Sequence, residues 1–339
     1  MTHFIIVGAG AIGCFLGGKL ALAGARVSFV ARAAMACTLR TEGLLVQDFN
    51  APTSMLSPAR FAVLDAIDGA DFSEACILLC TKSGATEQAA REIAAAAPVN
   101  TMLISMQNGV RNMARIRLAA PSLDSFAGMV PYNVVLNGNH AKRASDGGLI
   151  IEQHARTQSL APEFEAADLG LRFVLDMQSV QWGKLLLNLN NPVNAWSGLP
   201  LRDELSLRGY RLVLAGMMRE GLQVLSKARI KPARVTPVPA SLLPFLLSLP
   251  DSLFRVLARS LLRIDPSARS SMADDFRKRQ STEIDELCGA LVALGQKLGV
   301  PTPLNAGMVK IVHAYAGLGP LPADQLMRAI QHPESLAGL

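Results

Sequence analysis

The chain has 339 residues, half of them hydrophobic and 18% charged, with a formal net charge of +6. That length allows two domains with separate cores, and the balance excludes a disordered chain. The basic surplus suits anionic partners, yet the Lys and Arg residues are scattered, without the dense run and interleaved aromatics of a nucleic-acid surface.

The first apolar run, Phe4 to Val7, opens a strand at His3 with no basic stretch, apolar core and cleavage site ahead of it, so no secretory leader is expected. A helix through Ala23 and a strand from Arg26 to Val30 follow. Ala75 to Cys80 makes a further strand and leads into an Ala-rich helix through Ala97. Thr101 to Met106, a helix from Val110, and Ser125 to Val130 continue the pattern. Strands alternating with helices predict a parallel sheet covered on both faces. Gly148 to Gln153 and Leu171 to Leu175 are expected to extend or close that sheet.

From about Val180 only helical periodicity remains, with proline-marked breaks at Lys231 to Pro239 and Pro301 to Pro303. Ile284, Leu287, Cys288, Leu291, Leu294 and Leu298 predict one apolar face of a long helix. The most apolar window, Leu242 to Leu262, is interrupted by Pro244, Pro250, Asp251, Arg255 and Arg259, too broken to cross a bilayer. It is expected to pack within the domain. The expected fold class is α/β: a Rossmann-type doubly wound sheet over residues 1–178, then an all-helical substrate and catalytic domain over 179–339.

Cys14, Cys76 and Cys80 lie in apolar runs and are expected as buried free thiols. With Cys37 and Cys288 they form an odd set of five without C-x-x-C or metal-ligand spacing, which fits a reducing cytoplasm and predicts no metal site. The five histidines form no zinc motif and no nucleophilic triad.

Gly8-Ala9-Gly10-Ala11-Ile12-Gly13 follows the first strand and opens a helix, inside a βαβ unit. Gly8 permits a tight turn, Gly10 lets backbone approach a pyrophosphate, and Gly13 lets helix and strand pack closely. The helix N-terminus adds unpaired N–H groups and a positive dipole. A chain that binds NAD usually ends its second strand in Asp or Glu for the ribose hydroxyls; here the residues are Ala31-Arg32. A guanidinium in that place suits a 2′-phosphate, so the expected cofactor is NADP(H).

Lys82 and Asn108 each follow a strand and are expected at the carboxyl edge of the sheet, towards the nicotinamide region. Asn108-Gly109 is equally an ordinary turn signal. Lys184, Asn188 and Asn191 are spaced i, i+4, i+7, which predicts one helical face among leucines. Buried Lys and Asn must be paired, as in a satisfied polar network, or serve a ligand. Ser270-Ser271-Met272 and Thr282-Glu283-Ile284-Asp285 are two more polar stretches. One unbroken helix would hold Ser271 and Glu283 about 18 Å apart. Thr282-x-x-Asp285 predicts instead a capping box, with Glu283 in the first turn of a new helix and the preceding chain doubling back.

Taken in order, the Gly8 loop, Arg32, Lys82-Ser83, Gln107-Asn108-Gly109, Lys184 with Asn188, Ser270-Ser271-Met272 and Thr282-Glu283-Ile284-Asp285 resemble the ketopantoate reductase (2-dehydropantoate 2-reductase) family across nearly the whole chain. The resemblance implies NADPH-dependent reduction of a 2-keto acid, ketopantoate, and a helical domain like that of 6-phosphogluconate-type dehydrogenases. It implies Lys184 as general acid, Glu283 on the substrate hydroxyl, Ser271 on the carboxylate and Asn188 on the substrate. Lys82 and Asn108 would organise the nicotinamide end. Two departures stand out. The family's second asparagine often lies eight residues after the lysine, where this chain has Pro192, leaving Asn191 or Asn194 as substitutes. The stretch from Lys231 to Ala268 is longer and more apolar than in compact members. A related dehydrogenase for another 2-keto or hydroxy acid, and a silent NADP(H) sensor, are the alternatives; a sensor would not need Lys184 with Glu283. The expected partner is a small-molecule 2-keto acid, with no nucleic acid and no membrane, and a homodimer left open.

Overall fold

The computed structural model describes residues 2–257, 268–315, 317 and 319–334. They form two compact units, Met1–Met177 and Gln178–Leu339. Strands of the first unit are β1 (His3–Val7), β2 (Arg26–Val30), β3 (Leu44–Gln47), β4 (Thr53–Leu56), β5 (Ala62–Leu64) and β6 (Ala75–Leu79). Then come β7 (Met102–Ser105), β8 (Asp124–Met129), β9 (Val134–Asn137), β10 (His140–Arg143), β11 (Leu149–Glu152) and β12 (Leu171–Val174). Its helices are α1 (Ala11–Leu22), α2 (Ala33–Glu42), α3 (Thr86–Ala96), α4 (Asn112–Ala119), α5 (Ala155–Gln158) and α6 (Ala161–Ala166).

Eight strands form one sheet in the order β12-β11-β8-β7-β6-β1-β2-β5. From β8 to β5 every neighbouring pair is parallel, the Rossmann arrangement expected from the alternation of strand and helix. β11 and β12 extend the sheet, but β11 runs antiparallel to β8. The order reverses at β1: the chain steps outwards to β2 and β5, then returns to pair β6 on the other side. Carboxyl ends at such a switch point open a crevice. β1 is buried at every residue, with Phe4 and Ile6 in a core shared with Phe15, Leu16 and Phe29. Each such side chain contributes about 1.5–3 kcal/mol by burial.

A second, four-stranded sheet, β4-β3-β10-β9, has no counterpart among the strands expected from the sequence. Its strands have four residues each, and β4 exposes Thr53, Ser54 and Met55, so no apolar run marks it. It packs on α1. Lys19 of that helix meets Asp48 at 2.7 Å, and Arg143 holds the same carboxylate at 3.0 Å.

The second unit contains helices and no strand among its described residues. Its helices are α7 (Met177–Asn188), α8 (Asn190–Ser197), α9 (Leu201–Ser206), α10 (Arg208–Lys227) and α11 (Leu243–Ser248). α12 (Asp251–Leu257), α13 (Ser271–Arg277), α14 (Cys288–Leu298), α15 (Pro303–His313) and α16 (Ala323–Gln331) complete it. α10 is the hub, touching α8, α9, α11 and α14 to α16. Its Arg211 is fully buried, and the guanidinium donates to the carbonyls of Leu205, Leu247 and Leu249 and to Asp251. Phe254 stacks against it at 4.1 Å. A buried cation so completely partnered anchors α11 and α12, and removing its partners would strand the charge.

Three local expectations need correction. The single helix over Lys184 and Asn191 breaks at Leu189, because Pro192 has no N–H to give the Asn188 carbonyl and its ring crowds that carbonyl. The apolar ladder from Ile284 to Leu298 is split between a 3-10 turn, Ile284–Glu286, and α14. The capping box at Thr282 does not form: Asp285 Oδ1 instead meets His313 Nε2 at 2.9 Å, and Glu283, not Thr282, precedes the turn. Within the apolar window, Leu243, Leu246, Leu247 and Phe254 face inwards while Leu242, Phe245, Leu253, Val256 and Leu257 are exposed. Residues 258–262 of that window lie outside the described residues. No described helix is long and apolar enough to cross a membrane.

Candidate functional site

The loop after β1 has the geometry of a phosphate cradle. Gly8 takes φ +102, and a Cβ there would lie 2.8 Å from the Thr81 nitrogen, at the sheet's switch point between β1 and β6. Gly10 caps α1 with extended backbone and no side-chain cap, so the first N–H groups of that helix face outwards unsatisfied by a cap. A Cβ on Gly10 would meet nothing within 4 Å, so this position is open. A Cβ on Gly13 would stand 2.1 Å from the Gly8 carbonyl oxygen. No acidic residue sits in the first turn of α1. Open backbone donors, a helix dipole and no competing carboxylate fit a pyrophosphate. Ala9, Ala11 and Ile12 complete the loop.

Arg32 caps α2 directly after β2, whose Val30 is in register with Val7 of β1. It is exposed, and its side chain makes no hydrogen bond or ion pair among the described residues. A guanidinium beside the glycine loop is thus available to an anion.

On the other side of Gly8, Lys82 is exposed at the start of the 3-10 turn Ser83–Ala85 after β6. Asn108 is half-buried after β7. Its carbonyl accepts from Ser83 Oγ at 3.0 Å and from Asn112 Nδ2 at 2.6 Å. Asn112 also meets Thr86, and Gln107 Nε2 donates to Thr86 Oγ1 at 2.8 Å and to the Thr81 carbonyl at 3.0 Å. Ser83, Thr86, Gln107 and Asn112 are all buried, so this network locks together the two loops that carry Lys82 and Asn108. Gly8 to Gly13, Arg32, Lys82 and Asn108 therefore share one sheet edge. Thr86 and Asn112 have no mark in the sequence, since each sits beside other polar residues, Glu87 and Arg111.

In the helical unit, Lys184 and Asn188 lie one turn apart on α7. Lys184 is half-buried by surface, but burial of its amine pulls its pKa down to about 8. Asn188 is buried. Asn191 falls on α8, past the break, and its carbonyl accepts from Ser270 Oγ at 3.0 Å. Asn194 is fully buried; its amide donates to the Leu199 carbonyl and its oxygen accepts from the Ser270 N–H. Asn194 is therefore committed to the Leu199 carbonyl and to the start of α13. Ser270 caps α13 through Ala273 N, which leaves Ser271 exposed at the first helical position. α13 ends at Arg277, and Arg279 turns the chain in left-handed backbone at φ +51. Ser271 and Glu283 are thus not on one helix, as the 18 Å argument requires. Glu283 is half-buried before its 3-10 turn.

All five cysteines are free, and Cys14 and Cys76 are buried as expected, whereas Cys80 is half-buried. Burial pushes the Cys14 thiol up to about 12, so it is inert as a nucleophile. Among the described residues no cluster of three His, Cys, Asp or Glu could hold a metal ion.

Two family models match the chain: "Ketopantoate reductase PanE/ApbA" over residues 4–156 and "Ketopantoate reductase PanE/ApbA C terminal" over 176–316. The chain belongs to the ketopantoate reductase family. A 2-dehydropantoate 2-reductase of Aquifex aeolicus (strain VF5) is 24% identical over 325 residues, 93% of this chain and 97% of that protein. One from Mesorhizobium japonicum is 25% identical over 92% of this chain and 97% of its own length. The crystal structure of a PanE/ApbA family ketopantoate reductase from Ralstonia eutropha JMP134 superposes with a TM-score of 0.76 at 27% identity, covering 92% of this chain and 97% of that one. D-mandelate dehydrogenase, solved with NADH and anilino(oxo)acetate, has a TM-score of 0.74 over 92% of this chain and 97% of its own. Its identity is 20%, so it shares the fold.

Proposed function

We propose that this member of the ketopantoate reductase family reduces 2-dehydropantoate to pantoate with NADPH, in the cytoplasmic route to pantothenate and coenzyme A. The observation that carries the reading is Lys184, an amine whose burial brings its pKa to about 8. A general acid is most effective when its pKa lies near the working pH.

The Gly8 to Gly13 loop would hold the pyrophosphate, Arg32 the 2′-phosphate, and Lys82 with Asn108 the nicotinamide end. A nicotinamide cofactor is further supported by the NADH carried by the structurally similar D-mandelate dehydrogenase. When bound, the cofactor supplies hydride to C2 of the keto acid. As the carbonyl bond's electron pair moves onto oxygen, Lys184 Nζ gives that oxygen a proton. Before transfer, the ammonium stabilises the developing alkoxide. Asn188, one turn on, would contact the substrate, Ser271 its carboxylate and Glu283 its hydroxyl.

A second reading, a related dehydrogenase for another 2-keto or hydroxy acid, is favoured by the break at Pro192, which displaces Asn191 from the Lys184 face. Oxidation of NADPH, followed with ketopantoate and a panel of other 2-keto acids, separates the two. A specificity constant highest for ketopantoate supports the first; turnover of another keto acid alone supports the second. No turnover of any 2-keto acid refutes both.

A further inference from the structure

Of the buried carboxyl groups that the proposed reaction does not use, Glu204, Glu220, Asp275 and Glu286 among the described residues of the helical unit, Glu204 is the most deeply buried. Glu204 of α9 is 0% exposed, and Asn190 at the start of α8 is 8% exposed. Asn190 Nδ2 donates to Glu204 Oε2 at 3.0 Å. The other two oxygens of this pair, Glu204 Oε1 and Asn190 Oδ1, are both buried with no hydrogen-bond partner among the described residues. Two facing groups that each leave one acceptor unsatisfied share a simple remedy. A proton on Oε1 would donate to Oδ1 and close a ring of two hydrogen bonds, with a carboxylic acid and an amide as its halves. A carboxylate would instead leave Oε1 and Oδ1 as two desolvated acceptors without a proton between them, which is unfavourable.

We propose that Glu204 is a neutral carboxylic acid closed into a two-bond ring with Asn190, and that this ring positions the start of α13. The route runs through α8: Asn194, one turn beyond Asn190, accepts from the Ser270 N–H at 2.9 Å, and Ser270 Oγ caps Ala273 N at 3.1 Å. Asn191, between them, takes the Ser270 hydroxyl on its carbonyl. Ring, helix and cap thus fix the residue that precedes Ser271. The consequence for catalysis rests on the reading of Ser271 as the carboxylate-binding residue.

The elements packed on α9 are α8 and α10. From α8 the groups facing Glu204 are the neutral amides of Asn190 and Asn194; from α10 they are Arg211 and Tyr210. Arg211 is committed to Asp251 and three carbonyls, and Tyr210 donates to the Leu321 carbonyl while also feeling Asp324. Burial pushes the Glu204 carboxyl up to about 8, against the opposing pull of Asn190, Asn194 and Arg211. A group whose folded pKa is raised contributes stability that is complete below the unfolded carboxylate range and is lost as pH rises through about 8.

The experiment compares the wild type with Glu204→Gln, whose amide can make the same two bonds without a proton. Infrared spectra near pH 7 should show a neutral-carboxyl band in the wild type that the variant lacks. Between the ordinary carboxylate range and about 8, the wild-type folding constant should fall about tenfold per pH unit relative to the variant. Hydrogen-exchange protection of the Ser270 and Ala273 amides should drop several-fold through that pH in the wild type and stay level in the variant. Absence of the band, or a variant that loses protection and stability already at neutral pH, overturns the neutral acid. Parallel protection at Ser270 in both proteins overturns the positioning role. None of these readouts uses turnover, so a failure of the proposed reaction would show separately in the keto-acid assay.

Discussion

Two glycines of one loop should fail in opposite ways when each is given a methyl group. At Gly13 the new Cβ would stand 2.1 Å from the Gly8 carbonyl oxygen and 3.0 Å from Ile6 Cγ2. The first neighbour is backbone, so the turn and the start of α1 must move away from β1. Overpacking of this kind costs about 3 kcal/mol. For a unit of this size that corresponds to a fall in melting temperature of roughly 6–12 °C. At Gly10 the Cβ meets nothing within 4 Å, and the residue's φ of −85 suits any L-amino acid. The fold should lose at most about 1 kcal/mol, the cost of alanine at a helix cap. Binding should suffer instead, because the methyl fills the space through which the α1 N-terminus reaches a pyrophosphate. Losing one charge-assisted hydrogen bond of about 1.5–3 kcal/mol weakens binding roughly ten- to a hundredfold. Thermal denaturation and fluorescence titration with NADPH on both variants decide it. A Gly13→Ala protein that melts with the wild type, or a Gly10→Ala protein that binds NADPH undiminished, refutes the reasoning.

The other residues yield shorter tests. Arg32→Ala should remove most of a preference for NADPH over NADH, measured by titration of both; equal affinities in the wild type would contradict NADP(H) use. Lys184→Ala should lower turnover a hundredfold or more, the usual scale for a lost general acid, with little change in cofactor affinity. Because burial brings Lys184 to about 8, wild-type turnover should fall as pH rises through that value and the ammonium loses its proton. The same depression makes the unfolded chain the better proton binder between about 8 and the ordinary lysine range, so this group's contribution to stability rises there with pH. Glu283→Gln should damage reduction of ketopantoate more than that of a keto acid without a hydroxyl; an unchanged ratio of specificity constants would remove Glu283 from hydroxyl recognition.

The large sheet is readable from the chain because its strands are buried on both faces, so β1, β6 and β7 are unbroken apolar runs. The small sheet escapes notice for the same physical reason in reverse. β3 alternates buried and half-buried residues over only four positions, and β4 buries Leu56 alone. Pairing between β3 and β10 joins residues far apart in sequence, such as Leu45 with His140, and no local pattern encodes such a partner. The antiparallel entry of β11 is invisible likewise, since a strand buried on both faces has the same composition in either direction.

At the candidate site, what survives translation into structure is the backbone logic, and what fails is periodicity carried across a proline. Gly8, Gly10 and Gly13 are legible because each answers a steric demand that only one residue type meets. Lys184 with Asn188 is legible because polar groups among leucines must be accounted for. Extending that face to Asn191 ignores what Pro192 does to the carbonyl four residues before it. Between Asn191, Asn194 and Ser270, local spacing could not say which groups the fold would consume. Asn194 differs from Asn188 only in its surroundings: α13 returns over α8, and the Ser270 N–H takes the oxygen that a ligand would need. The same return leaves Ser271, not Ser270, with its hydroxyl free of the capping bond. A polar residue's availability is thus settled by the segment that packs over it, a property of tertiary contact. Ser270 and Asn194 matter to Ser271 as its mounting, so substitutions there should disturb the position of α13 before any bond to a substrate.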